Sequence, residues 1–98
     1  MPWTNPGYAF DRASILVSVP SQSGVYVIYV TGSTTWVYVG ESGDMKSRLL
    51  QHWTETGTCI KGYSPLGFSL ELWDADSRVA RQDHWILELN PACNHRLG

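Results

Sequence analysis

The stretch GVYVIYVTGSTTWVYVG, residues 24–40, decides the fold. It holds two short β-branched and aromatic runs, Val25–Val30 and Trp36–Val39, separated by the small polar segment TGSTT. Such runs favour extended chain with both faces partly covered, and so short a break joins them as a hairpin. Side chains alternate along a strand and paired residues share a side, so the parity of the loop decides where the tyrosines point. If Val30 pairs with Trp36, Ile28 faces Tyr38 and Tyr26 faces Gly40, which sets Tyr26 and Tyr38 diagonally together on one face. A two-residue turn at Gly32-Ser33 would send them to opposite faces. In the first register the packing face is Val25, Val27, Val37 and Val39.

Working outward, residues 1–14 contain Pro2, Pro6 and Gly7 and read as irregular. They lead into a short helical turn over Asp11–Val17 that stops before Pro20. On the other side, Asp44 is placed to cap a helix over Met45–Trp53. At 100° per residue Met45, Arg48, Leu49 and His52 fall on one stripe. A cation and an imidazole among apolar anchors suit either a working site or the edge of a core, where the arginine snorkels and the histidine finds a partner. After a loop with Gly57, Gly62, Pro65 and Gly67, FSLELW (68–73) alternates and gives a third strand. DADSRVARQDHWILELN (74–90) has helical spacing, an acidic start and a stop at Pro91. Val79, Gln82, Ile86 and Leu89 form one stripe, and a glutamine inside it calls for a hydrogen-bond partner.

The totals narrow the class. Ninety-eight residues with 43% apolar content, five Trp and five Tyr suffice for one small domain with a single core. Val25–Val30 is far too short to span a bilayer and the amino terminus lacks a signal core, so an intracellular protein is expected. Cys59 and Cys93 show no CxxC spacing and no Cys/His cluster, which excludes a zinc-site reading and leads us to expect reduced thiols. A net charge of -2 counts against a free-standing nucleic-acid binder. Two modest basic groups, Lys46, Arg48 and Lys61, then Arg78, Arg81 and Arg96, soften that objection.

With the elements in this order, the sequence resembles the GIY-YIG nuclease family. GVY at 24–26 stands for the first motif triplet and YVG at 38–40 for the second. Arg48 and His52 in ESGDMKSRLLQH, and the ending RQDHWILELNPACN, complete the pattern over about residues 20–94 of a single domain, 1–98. The resemblance implies an α+β fold, a small three-stranded antiparallel sheet flanked by helices. It also implies cleavage of phosphodiester bonds in nucleic acid, chiefly DNA in repair or recombination, with Mg²⁺ or Mn²⁺. Carried over by motif, Tyr26 and Tyr38 orient or deprotonate water, Arg48 clamps phosphate, His52 moves a proton or holds a phenol, and Lys46 and Asn94 lie on the substrate path. Gly24 and Gly40 are structural. Which tyrosine is the base stays open. Sequence specificity is expected to come from a separate DNA-binding partner or a second copy of the chain.

One position departs from the family pattern. Nine residues before Pro91, where the family carries a metal-binding glutamate, this chain has Gln82, and a neutral amide is a poor substitute in such a site. Three accounts remain open: an introduced change, takeover of the metal by Asp83 or Glu88, or a domain that binds without cutting. Glu41, directly after YVG, adds a negative charge near the phosphate path.

Overall fold

One sheet with a helical layer on each face organises the chain. The computed structural model describes residues 3, 5–55 and 59–94. In chain order the elements are β1 (Tyr8–Ala9), α1 (Arg12–Ser18), β2 (Gly24–Val30), β3 (Trp36–Ser42), α2 (Met45–Thr54), a 3₁₀ turn at Ile60–Gly62, β4 (Leu66–Leu72) and α3 (Arg78–Leu89). The sheet is antiparallel, in the order β1-β4-β2-β3. It therefore has four strands, not three: Tyr8–Ala9, read as irregular from its flanking Pro and Gly, pairs with Gly67 and Phe68. Asp11 caps α1 through Ser14 N at 2.8 Å, and Asp44 caps α2 through Ser47 N at 3.2 Å, each satisfying an amide that the first turn leaves open. No helix among the described residues is long and apolar enough to cross a membrane.

The hairpin takes the register that unites the tyrosines. Tyr26 pairs with Gly40 and Ile28 with Tyr38, but a bulge follows and Tyr29, not Val30, pairs with Trp36. The extra residue lets Val37 turn to the same side as Tyr38. The expected valine face is thus corrected: Val25, Val27 and Val39 pack with Trp85 and Leu89 of α3, while Val37 joins Tyr26, Ile28, Met45, Leu49, Phe68 and α1's Ile15 on the other side.

Two further expectations fail. Cys59 and Cys93 form a disulfide, with Cα atoms 5.8 Å apart across 34 positions of sequence, so they are not reduced thiols. Spacing alone cannot show this, because the tail folds back along β3: Ala92 N donates to Trp36 O and Cys93 N to Val37 O. In α3 the buried side chains are Trp85 and Leu89, while Val79 is 49% exposed. The stripe is rotated from its expected phase because Arg78 and Arg81 are tied inward. Glu71 Oε1 accepts from Trp73 Nε1, Arg81 Nε and Trp85 Nε1, and the Arg81 guanidinium lies over both indoles, contacts that reward inward-facing arginine.

Candidate functional site

Tyr26 and Tyr38 come from neighbouring strands, and His52 from α2, to form one aromatic cluster. Ring centroids are 6.2 Å apart for the two tyrosines, 5.7 Å for Tyr26 and His52, and 5.0 Å for Tyr38 and His52. Tyr26 is fully buried and its hydroxyl is 2.8 Å from His52 Nε2. Tyr38 is only partly covered. Arg48, one turn before His52 on the stripe expected from the sequence, brings its positive charge to bear on the Tyr26 hydroxyl.

Burial sets the protonation states. It pushes Tyr26 far above the ordinary phenol range, with Tyr38 adding to the shift and Arg48 opposing it. Burial also lowers His52 to about 4, helped by the Arg48 charge and resisted by Glu55. At neutral pH the core pair is therefore a neutral phenol on a neutral imidazole. Of the two tyrosines, Tyr38 is the one that meets solvent.

The His52 shift carries a stability prediction. Its native value lies below the unfolded value of 6.5, so the unfolded state binds more protons between the two. Stability from this group is complete above about pH 6.5, falls as pH drops toward about 4, and changes no further below that. The loss is on the order of 3 kcal/mol. Urea denaturation at several pH values should show this slope in the wild type and a shallower one in His52→Asn. Equal slopes would mean that His52 is not buried neutral.

Gly40 is required by the tyrosines. A Cβ there would lie 2.5 Å from Tyr26 Cζ and 2.9 Å from Tyr38 Cε2, and the buried Tyr26 cannot swing away. Gly40→Ala is expected to destabilise by about 1–3 kcal/mol through overpacking, with a changed near-ultraviolet tyrosine signal. Wild-type stability and signal in that variant would contradict the close approach. Gly24 is likewise buried, and a Cβ there would meet Met45 Sδ at 2.8 Å and the Glu71 carbonyl.

The remaining expected residues separate. Asn94 uses both ends of its amide on β3: Oδ1 accepts from Val39 N at 2.7 Å and Nδ2 donates to Val39 O at 2.8 Å. It holds the strand that carries Tyr38. Lys46 is partly covered on α2, and Asp83 and Glu88 are exposed on α3. Gln82 makes no side-chain hydrogen bond among the described residues, contrary to the partner expected from the sequence; its place on the helix is only half covered, so water can serve it. Glu41 is neutralised by Arg78, whose Nε donates to Glu41 Oε1 at 2.5 Å and Nη1 to Ser23 Oγ at 3.0 Å. Arg78 and Arg81 are thus engaged in ion pairs, and Arg96 lies outside the described residues. The sequence reading missed Glu55, whose Oε1 is 3.8 Å from His52 Nδ1. The i,i+3 spacing was the available signal.

The architecture is a GIY-YIG-type fold, and it sets Tyr26, Tyr38 and His52 together on one face of the sheet. The chain is similar to the GIY-YIG N-terminal endonuclease domain of UvrC from Thermotoga maritima. A tyrosine-to-phenylalanine mutant of that domain, bound to its catalytic divalent cation, matches with a TM-score of 0.69 and 19% identity over 87% of this chain and 94% of that one. The magnesium-bound form matches with a TM-score of 0.67 and 19% identity over 85% and 93%. At such identity the likeness establishes the fold. In sequence, 44 residues are 43% identical to UvrABC system protein C of Pectobacterium atrosepticum, covering 45% of this chain and only 7% of that protein. No family model matches the chain.

Proposed function

We propose that the chain is an endonuclease-type domain that acts on DNA through the face bearing Tyr26, Tyr38, Arg48 and His52, with its metal position impaired by Gln82. The observation that carries this reading is the meeting of those four side chains on one face of the sheet. Arg48 offers a charge-assisted, bidentate grip on a phosphodiester and stabilises charge that develops on phosphate oxygen. Tyr38, the accessible phenol, is placed to orient the attacking water. Tyr26 is too deeply buried to ionise readily, and with His52 it forms the wall that holds Arg48 in line. Lys46 adds positive charge on the approach.

The residues present do not fit a tightly held divalent cation. Gln82 offers a neutral oxygen, Glu41 is taken by Arg78, and the described residues contain no group of three or more His, Cys, Asp or Glu able to hold a metal. This favours a second reading, a domain that binds nucleic acid without cutting it. The discriminating experiment is cleavage of plasmid and branched DNA by the wild type and Gln82→Glu in Mg²⁺ or Mn²⁺, beside salt-dependent DNA binding by the wild type and Arg48→Ala. Gain of cutting in Gln82→Glu supports the endonuclease. Binding that Arg48→Ala abolishes, with no turnover in any form, supports the binding domain. In either case a second copy or a separate DNA-binding partner would supply specificity.

A further inference from the structure

Among the described residues, His52 Nδ1 is the buried side-chain nitrogen or oxygen left with no hydrogen-bond partner, in a residue only 5% exposed. A buried polar atom without a partner costs about 1–3 kcal/mol. The group facing it is the Glu55 carboxylate, with Oε1 at 3.8 Å, three residues further along. That is too long for a hydrogen bond. The Glu55 side chain, however, is 40% exposed and sits at the end of α2 as its C-cap residue, so it has room to rotate toward Nδ1. Gln51 Nε2 steadies the other carboxylate oxygen from 3.4 Å.

Counting donors places the hydrogens. A guanidinium only donates and a carboxylate only accepts. The Arg48 charge acts on Tyr26, which favours a phenol that turns its lone pairs toward the cation and its hydrogen toward His52 Nε2, 2.8 Å away. The single hydrogen of the neutral imidazole then belongs on Nδ1, facing an acceptor. The opposite tautomer would set a bare lone pair against a carboxylate.

We propose that Glu55 is a positioning residue that fixes His52 in the Nδ1–H tautomer, completing a hydrogen-bond chain from Tyr26 through His52 to Glu55. The proposal rests on the endonuclease reading for its chemical purpose: a phenol that donates inward keeps its lone pairs toward Arg48 and holds that cation at the phosphate. Orientation of a ring by the hydrogen bond at its other nitrogen is a general property of histidine sites.

Long-range ¹H–¹⁵N correlation spectra of the full chain at neutral pH, without DNA or metal, read the tautomer directly. The expected result is a protonated Nδ1 and an unprotonated Nε2, with widely separated shifts. In Glu55→Ala, where only the Tyr26 hydroxyl still favours Nδ1–H, the two shifts should move part of the way toward the tautomer average, and Glu55→Gln, whose amide oxygen still accepts, should restore the separation. An Nε2–H tautomer in the wild type, or unchanged His52 shifts in Glu55→Ala, would overturn the proposal. Glu55→Ala keeps the backbone cap from residue 55 N–H to Gln51 O, and amide dispersion verifies its fold. These spectra require no turnover, so a chain that fails to cut DNA leaves the Glu55 result standing, and the reverse also holds.

Discussion

Cys59→Ser is expected to lower the unfolding free energy by about 4 kcal/mol, the loop-closure value for a cross-link spanning some 34 residues. For a domain of this size that approaches half of a typical total stability of about 5–15 kcal/mol. Cys59 is exposed whereas Cys93 is 8% exposed and packs in the core beside Ile60 and Leu49. The substitution at 59 therefore removes the cross-link with little loss of packing, and Cys93→Ser would add a buried hydroxyl. The bridge fastens the tail whose next residue, Asn94, grips Val39 on both sides of its peptide. Its loss should thus loosen β3 next to Tyr38 as well as lower global stability. Urea denaturation of the wild type with and without reductant, beside Cys59→Ser, is the measurement. Reduced wild type should match the variant. Coincident midpoints for oxidised and reduced wild type would show that the cross-link does not stabilise the fold.

Gln82→Glu is expected to convert weak or absent cutting into metal-dependent DNA cleavage faster by about 100-fold or more, the scale of one well-placed electrostatic contribution. It should also tighten Mn²⁺ or Mg²⁺ binding about tenfold or more, since a full negative charge replaces a dipole beside a dication. Gln82 lies one helical turn after Arg78 on the same side of α3, and Arg78 pairs with Glu41 of β3, the strand that also carries Tyr38. Calorimetric titration of the metal provides a readout apart from activity. A folded Gln82→Glu chain that neither gains metal affinity nor cuts any substrate would remove the endonuclease reading.

The sequence made the tyrosine pair legible because alternation in β2 and β3 depends on parity, and the bulge lies beyond Ile28, where it cannot separate Tyr26 from Tyr38. The α2 stripe was equally legible: Asp44 fixed its start, and Met45, Leu49 and His52 are buried as the 100° spacing requires. Val37 was misplaced because a bulge inserts one residue without a composition signal. The phase of α3 was misread because hydropathy ranks Val79 above Arg81, whereas stacking on Trp73 and Trp85 and an ion pair to Glu71 draw the arginine in. The cross-link was invisible because two cysteines carry no spacing rule. The orphaned nitrogen of His52 exists only in three dimensions, since it needs both the depth of the ring and the direction taken by Tyr26.

The tail along β3 has a consequence for self-association. Hydrogen bonds from Ala92 and Cys93 to Trp36 and Val37, and the pair exchanged between Asn94 and Val39, occupy polar groups that an edge strand otherwise presents to any passing extended chain. Two copies cannot join by continuing the sheet past Trp36–Val39 while the tail is in place. A dimer formed through sheet edges would have to use the β1–β4 side, and a chain whose tail is released by reduction gains a second adhesive border. Reductant should then promote aggregation through the hairpin that bears the tyrosines.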